Sequence, residues 1–180
     1  MISVGIDVSK GKSTICILRP FGEILMSPRD YNHTQSDLKQ LVSKQTPEYE
    51  TVMAMKGVGD SIGPRLIAEI GDPRRFHSAK ALIAYAGIDA PPYQSGKFTG
   101  TERHMSKRGS KIMRKLGFEI MDAINKHQRS YAGDPVCEYF LKKRAEGKLY
   151  KVAMFAAYNK FLRIYHSRVS SLLNEVEATA

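Results

Sequence analysis

The spacing of apolar residues changes once along this chain, near residue 44, and that change constrains the fold more than any other feature. In MISVGIDVSKGKSTICILRPFGEIL, residues 1–25, Ile2, Val4, Ile6 and Val8 alternate with small or polar neighbours. A period of two belongs to a strand with one covered face. Gly11-Lys12-Ser13 breaks the run, Thr14 to Leu18 resumes it, and Pro20-Phe21-Gly22 turns it again. Three antiparallel strands are expected. HTQSDLKQLV, residues 33–42, reads as a short helix capped at Thr34, with Asp37 three residues on. SKQTPEY is a polar joint, and every pattern after it is helical. The expected class is therefore α+β, mostly α. Residues 1–43 form a short antiparallel meander plus helix, and residues 44–180 form an all-helical domain.

Within the helical part, YETVMAMKGVGDSIGPRLIAEIGD places Val52, Met53 and Met55 at the end of one helix and Ser61 onward in another. Gly57-Val58-Gly59 turns the chain between them, and Pro64 is tolerated in a first helical turn. Gly63 is small where two such helices would touch. This is a helix-hairpin-helix pattern over residues 52–70. Its glycines, Gly57 and Gly59, would let backbone N–H groups approach a phosphate; an ordinary tight turn is the alternative. HSAKALIAYAG reads as a helix capped by Ser78 and ended by Gly87. A long loop, residues 88–105, precedes a helix over about 107–127, with Ile112, Leu116, Ile120, Ala123 and Ile124 on one face. Helices at about 135–146 and 148–173 follow, divided at Gly147. Tyr139, Phe140, Phe155, Tyr158, Phe161 and Tyr165 recur there at helical spacing, which points to core.

Charge narrows the function. Lysine and arginine outnumber acids by ten, and the excess is clustered. Residues 95–129 hold nine basic side chains against three acids, and residues 142–168 hold eight against Glu146 alone. Such clusters track a polyphosphate backbone, so nucleic acid is the expected partner. The candidate contacts are Lys97, Arg103, Lys107, Arg108, Lys111, Arg114 and Lys115. Cys16 and Cys137 stand far apart in sequence, which disfavours a disulfide framework or a zinc site and fits a reducing cytosol. No signal-peptide pattern opens the chain and no apolar run reaches the ~18 residues of a membrane span, so a cytoplasmic, nucleoid-associated protein away from the membrane is expected.

Two residues invite chemistry. Ser95, in a glycine-rich loop leading into the basic helix, has the mobility and the nearby cations that serine attack on a phosphodiester needs. His104 is a candidate base and Tyr93 a rival nucleophile. Asp7, central in the first strand, is placed as a magnesium ligand would be in a ribonuclease-H-like fold, or serves a turn.

The stretch GVGDSIGPRLIAEIGDPRRFHSAKALIAYAGIDAPPYQSGKFTGTERHMSKRGSKIMRKL, with its G-x-G, Y-Q-S-G and S-K-R-G elements, resembles the C-terminal domain of insertion-sequence 110/116/902 type transposases, also called DEDD transposases and related to site-specific invertases. The opening VGIDVSK…STICIL resembles the start of the same family's ribonuclease-H-like domain. The resemblance implies a DNA recombinase with Ser95 as nucleophile, Asp7 as a ligand for Mg2+, an element-encoded guide RNA and a homo-oligomer. The family's first domain is longer than 43 residues and carries further acids in M-E-x-T-G-like and D-x-x-D motifs. Neither motif is present, so the chain reads as an internally deleted member joined near residue 44, with an incomplete catalytic set. Two other readings compete: a non-enzymatic helix-hairpin-helix module that binds nucleic acid, and a metal-dependent nuclease using Asp7.

Overall fold

The computed structural model describes residues 3–18, 23–34, 46–90, 94–95, 98–99 and 104–179. The fold is α+β and mostly helical. The chain divides into two compact units, residues 1–47 and 48–180.

The first unit is a three-stranded antiparallel sheet in the order β1 (Ser3–Val8), β2 (Lys12–Leu18), β3 (Ile24–Asn32). The expected meander is present. The helix expected over residues 33–42 falls largely outside the described residues. Ile6 pairs with Ile15, Asp7 with Thr14, and Thr14 with Asp30. Register irregularities lie between Ile15 and Leu18 where β2 meets β3. The pleat sends Ile15 and Ile17 to one face, where they bury with Met26 and Tyr31. The opposite face is polar. Lys12 Nζ lies 2.6 Å from Asp30, and the Thr14 hydroxyl donates to the same carboxylate at 2.6 Å. On β1 the apolar face is open, with Ile6 60% and Val8 66% exposed. Among the described residues four side chains bury at the centre of this three-stranded sheet, a small core for an independent sheet. In hydrogen-exchange measurements on the isolated protein, β1 to β3 are expected to open well before the long helices of the second unit. Equal protection in both would contradict this.

The second unit contains α1 (Tyr49–Met53), α2 (Gly63–Ile70), a 3-10 turn (Pro73–Arg75), α3 (Ala79–Ala86), a minimal hairpin of β4 (Gln94–Ser95) and β5 (Phe98–Thr99), α4 (Lys111–Lys126), α5 (Pro135–Ala145) and α6 (Tyr150–Ala178). Helix α6 is the spine, packing against α1, α3, α4, α5 and the 3-10 turn. Its buried residues, Ala153, Met154, Ala157, Tyr158, Phe161, Leu162, Tyr165 and Val169, follow the three-four spacing of a helix with one inner face. Helix α4 crosses it at Gly117, where an added Cβ would stand 2.3 Å from the Tyr158 ring. The Tyr158 hydroxyl donates to the Met113 carbonyl at 3.0 Å, so its buried polar atom is satisfied. Burial pushes the Tyr158 hydroxyl's pKa far above its ordinary range, and the Cys137 thiol is raised by burial in the same direction, with Asp134 and Glu138 adding to it.

The expected helix boundaries hold in several places. Ser78 caps α3 by accepting from the Ala81 amide, and Gly87 ends it at φ 66. Asp134 caps α5 through the amides of Val136 and Cys137. Two details differ from the sequence-based expectation. Helix α4 begins at Lys111 rather than near 107, and Ile112 is 51% exposed instead of facing the core. The inner stripe is Met113, Leu116, Gly117, Ile120, Met121 and Ile124. A run at strict four-residue steps drifts around a 3.6-residue helix, so Ile112 falls out of phase with the buried positions further along.

Candidate nucleic-acid interface

The site is built on the end of α3. After Gly87 the chain continues through buried Ile88 to Asp89, leaves in the long loop, and returns as an extended segment at His104. That returning segment is tied back to α3. Ser106 N donates to the Asp89 carbonyl at 2.9 Å, Lys107 N to the Gly87 carbonyl at 3.0 Å, and Ser110 N to the Tyr85 carbonyl at 2.7 Å. The Ser106 hydroxyl also donates to the Asp89 carboxylate. Arg114 closes the arrangement from α4, its Nη1 reaching the carbonyls of Ala86 at 3.2 Å and Gly109 at 2.9 Å. Ser110 caps α4 by accepting from the Met113 amide and donates to Glu69 on α2 at 2.6 Å. Two features show how tightly the crossing is made. Lys107 sits at φ 53, a left-handed conformation that a non-glycine residue adopts only when its surroundings hold it there. At Gly109 an ideal Cβ would lie 2.0 Å from the Tyr85 carbonyl oxygen.

This clamp explains why α4 starts late. Ser106, Lys107 and Ser110 give their amides to the carbonyls of α3 and its exit, and Arg108 N donates to the Ser106 hydroxyl, so these amides do not enter a helical ladder. The helix expected from about 107 is therefore preceded by a pinned, non-helical segment that leaves Lys107 and Arg108 exposed. Lys111 is exposed too. Lys115 stands 3.9 Å from Glu119, which also receives Arg65 at 3.0 Å. Arg114, expected to face nucleic acid, is committed to backbone carbonyls. Ser95 lies in β4, paired with Phe98 of β5, in the loop whose two ends the clamp holds together. Lys97, Arg103 and Tyr93 lie outside the described residues. His104 is exposed at the foot of the loop.

Helices α1 and α2 are joined by a turn over residues 54–62. Gly63 is the contact point: a Cβ there would be 2.3 Å from Met53 Sδ. Gly57, at φ 81, packs against the Ile120 carbonyl oxygen, which an added Cβ would meet at 2.7 Å, so internal packing accounts for that glycine. Gly59 faces open space, with Asp60 beside it in the turn.

Asp7 is exposed on β1. The carboxylate that shares its row, Asp30, lies one strand further on beyond Thr14, where Lys12 and Thr14 hold it. Those contacts pull the Asp30 pKa below the usual carboxylate value, the Lys12 contact first. Among the described residues no group of three or more His, Cys, Asp or Glu side chains is placed to hold a metal ion. The described residues around Asp7 do not amount to a magnesium site.

One surface was not singled out in the sequence. Along the outer side of α6, a depression of about 580 Å3 is bounded by Met105, Lys107, Lys151 and Phe155, and a second of about 480 Å3 by Tyr139, Lys160 and Arg163. Ala156 and Asn159 line both. The signal available beforehand was the second basic cluster, over residues 142–168. No described helix is long and apolar enough to cross a membrane.

Comparison with known proteins places these features in a class: the chain is similar to proteins of mobile elements and of programmed DNA inversion. More narrowly, the model of the Transposase IS116/IS110/IS902 family matches residues 49–134. That stretch holds the α1–α2 turn, the clamp and Ser95. An insertion element IS116 protein of Streptomyces clavuligerus is 32% identical over 107 residues, 59% of this chain and 25% of the relative. A pilin gene-inverting protein of Moraxella bovis is 31% identical over 112 residues, 62% of this chain and 33% of the relative. The mini-circle protein of IS117 from Streptomyces coelicolor is 26% identical over 157 residues, 87% of this chain and 35% of the relative. An alignment of that length must include residues of both units. The chain spans about a quarter to a third of the length of these relatives.

Proposed function

We propose that the chain is a DNA-recombinase fragment of the transposase type, an internally deleted form of a longer protein, in which Ser95 is the nucleophile toward a DNA phosphodiester. The observation that carries this reading is the clamp. Within the family-matched stretch, the pinned segment 106–110 ties the chain that returns from the Ser95 loop to the chain that enters it, and it leaves Lys107 and Arg108 exposed at the loop's foot. Preorganised cations of this kind stabilise the charge that gathers on the non-bridging oxygens during displacement at phosphorus. In the step itself the Ser95 Oγ forms a bond to phosphorus while one P–O bond to deoxyribose breaks. The serine proton passes to solvent and the departing deoxyribose oxygen takes one up. The product is a phosphoserine link, and the exchange of one ester for another conserves the bond energy for rejoining.

The magnesium role of Asp7, a guide RNA, homo-oligomeric assembly and a place in the cytoplasm at the nucleoid belong to the same proposal, as do the phosphate contacts of Gly57 and Gly59. Since no described carboxylates join Asp7 to make a metal site, the isolated chain is expected to form adducts in trace amounts. The alternative, a nucleic-acid-binding protein without catalysis, is favoured by that same incomplete set of acids. Incubation with nicked duplex DNA, denaturation and mass-spectrometric mapping separates them. Adducts on Ser95 that vanish in Ser95→Ala while DNA binding persists support the recombinase. An adduct on Tyr93, or one undiminished in Ser95→Ala, overturns the assignment. Cleavage that survives Ser95→Ala and is lost in Asp7→Asn points to a metal-dependent nuclease instead.

A further inference from the structure

We infer that the outer groove of α6 is a binding site for an unpaired DNA strand, distinct from the Ser95 step although Lys107 borders both. Lys151, Phe155, Asn159 and Arg163 recur at four-residue steps and so form one stripe along the exposed side of the helix. The two depressions beside this stripe adjoin at Ala156 and Asn159, which line both, and together they make the groove. Its cations are available. Lys107, Lys151, Lys160 and Arg163 form no ion pair among the described residues, and no described carboxylate lines either depression. They are also held in place. The Lys160 ammonium stands 5.1 Å from the Tyr139 ring centre, and Arg163 Nε donates to Asn159 Oδ1 at 3.0 Å. Between the cations the floor is apolar, made by Met105, Phe155 and Ala156 with buried Ile88 behind.

An anion is required by the charge, and a flat apolar face by the floor. A strand of unpaired nucleotides offers both, with phosphates on the lysines and bases against Phe155. A duplex offers phosphates but keeps its base faces stacked inside, so it would leave the floor uncovered. The floor also favours DNA over RNA, because a ribose 2′-hydroxyl would lie against Met105, Phe155 and Ala156, and the uncharged polar side chains lining the groove, His104, Asn159 and Tyr139, stand at its sides rather than in that floor. From Lys151 to Arg163 the helix rises about 18 Å, room for about five nucleotides at the spacing of a single stacked strand.

The test is fluorescence anisotropy with a labelled twelve-nucleotide DNA strand, the RNA of the same sequence, and the blunt DNA duplex. Unpaired DNA is expected to bind at least tenfold more tightly than either. The pair Lys151→Gln and Arg163→Gln should weaken unpaired DNA by about thirtyfold, and Phe155→Leu by several-fold, with duplex affinity falling far less. Lys126→Gln, on the far end of α4 beside Asp122, is the control and should change nothing. Circular dichroism checks that each variant is folded. Equal losses for strand and duplex, a preference for RNA, or unchanged affinity in the double variant would each overturn the inference. Ser95→Ala should bind the strand as the parent chain does, so failure to find a serine adduct leaves this result standing, and the reverse also holds.

Discussion

Replacing Gly109 by alanine is expected to lower the melting temperature of the helical unit by about 10 °C. The added methyl would stand 2.0 Å from the Tyr85 carbonyl oxygen and 2.5 Å from the Gly87 nitrogen. Both neighbours are backbone, and both belong to the turn that ends α3, so neither can swing aside as a flexible side chain would. Relief requires the 106–110 segment to move off α3, which stretches the Ser110 and Lys107 amide bonds to Tyr85 and Gly87. Overpacking of this kind costs about 3 kcal/mol, and for a domain of this size each kcal/mol moves the midpoint by about 2–4 °C. Gly59→Ala provides the contrast. Its Cβ would enter open space, so its midpoint should stay within a degree or two of the parent protein. Thermal unfolding followed by circular dichroism reads both. Equal midpoints for the two variants would mean that the clamp does not hold the loop ends as described.

The second large effect concerns salt. Duplex DNA affinity should fall steeply with ionic strength, with a slope near −4 in log K against log salt for about five neutralised phosphates. Raising salt fourfold then weakens binding by about 250-fold. The contributors are those cations that the protein leaves unpaired. Lys107, Arg108 and Lys111 are exposed and make no ion pair among the described residues. Arg114 serves the clamp, and Lys115 stands near Glu119. Changing Lys107, Arg108 and Lys111 together to alanine should therefore flatten the slope by about three. The Arg114→Ala change should instead act on stability. Affinity insensitive to salt would dispose of the electrostatic account.

The comparison of sequence with structure is instructive at particular residues. Alternation in Ile2 to Val8, the serine before α3 and the glycine after it are local signals. Each reflects a backbone need that its own neighbours satisfy, and each was readable. The start of α4 was not read. Lysine and arginine at 107 and 108 are good helix formers, and what keeps this segment out of the helix is a set of carbonyls supplied from residues 85–89, about twenty positions away, which receive the amides of Ser106, Lys107 and Ser110. Gly109-Ser110 did carry the cue, as a close-approach glycine followed by a capping serine. The aromatic spacing in α5 and α6 was read as core. That is right for Phe140, Tyr158, Phe161 and Tyr165, all buried. It concealed Phe155, which lies on the other side of the helix beside a lysine and an arginine at four-residue steps. Ser95 is a separate case. A serine before a glycine in a loop says nothing by itself, and its role rests on the likeness to transposases.

Helix α6 leaves its own sequence little freedom. Its inner side fills the core from Ala153 to Val169, and its outer stripe from Lys151 to Arg163 lines the groove. Only the last turns, 171–178, are mostly exposed, and Arg74 ties them down through surface contacts to Asn174 and Glu177, which contribute little to stability. Related sequences diverge fastest where a side chain meets only solvent. Along this one helix, the molecular clock should therefore run at two rates, slow as far as Val169 and fast beyond it.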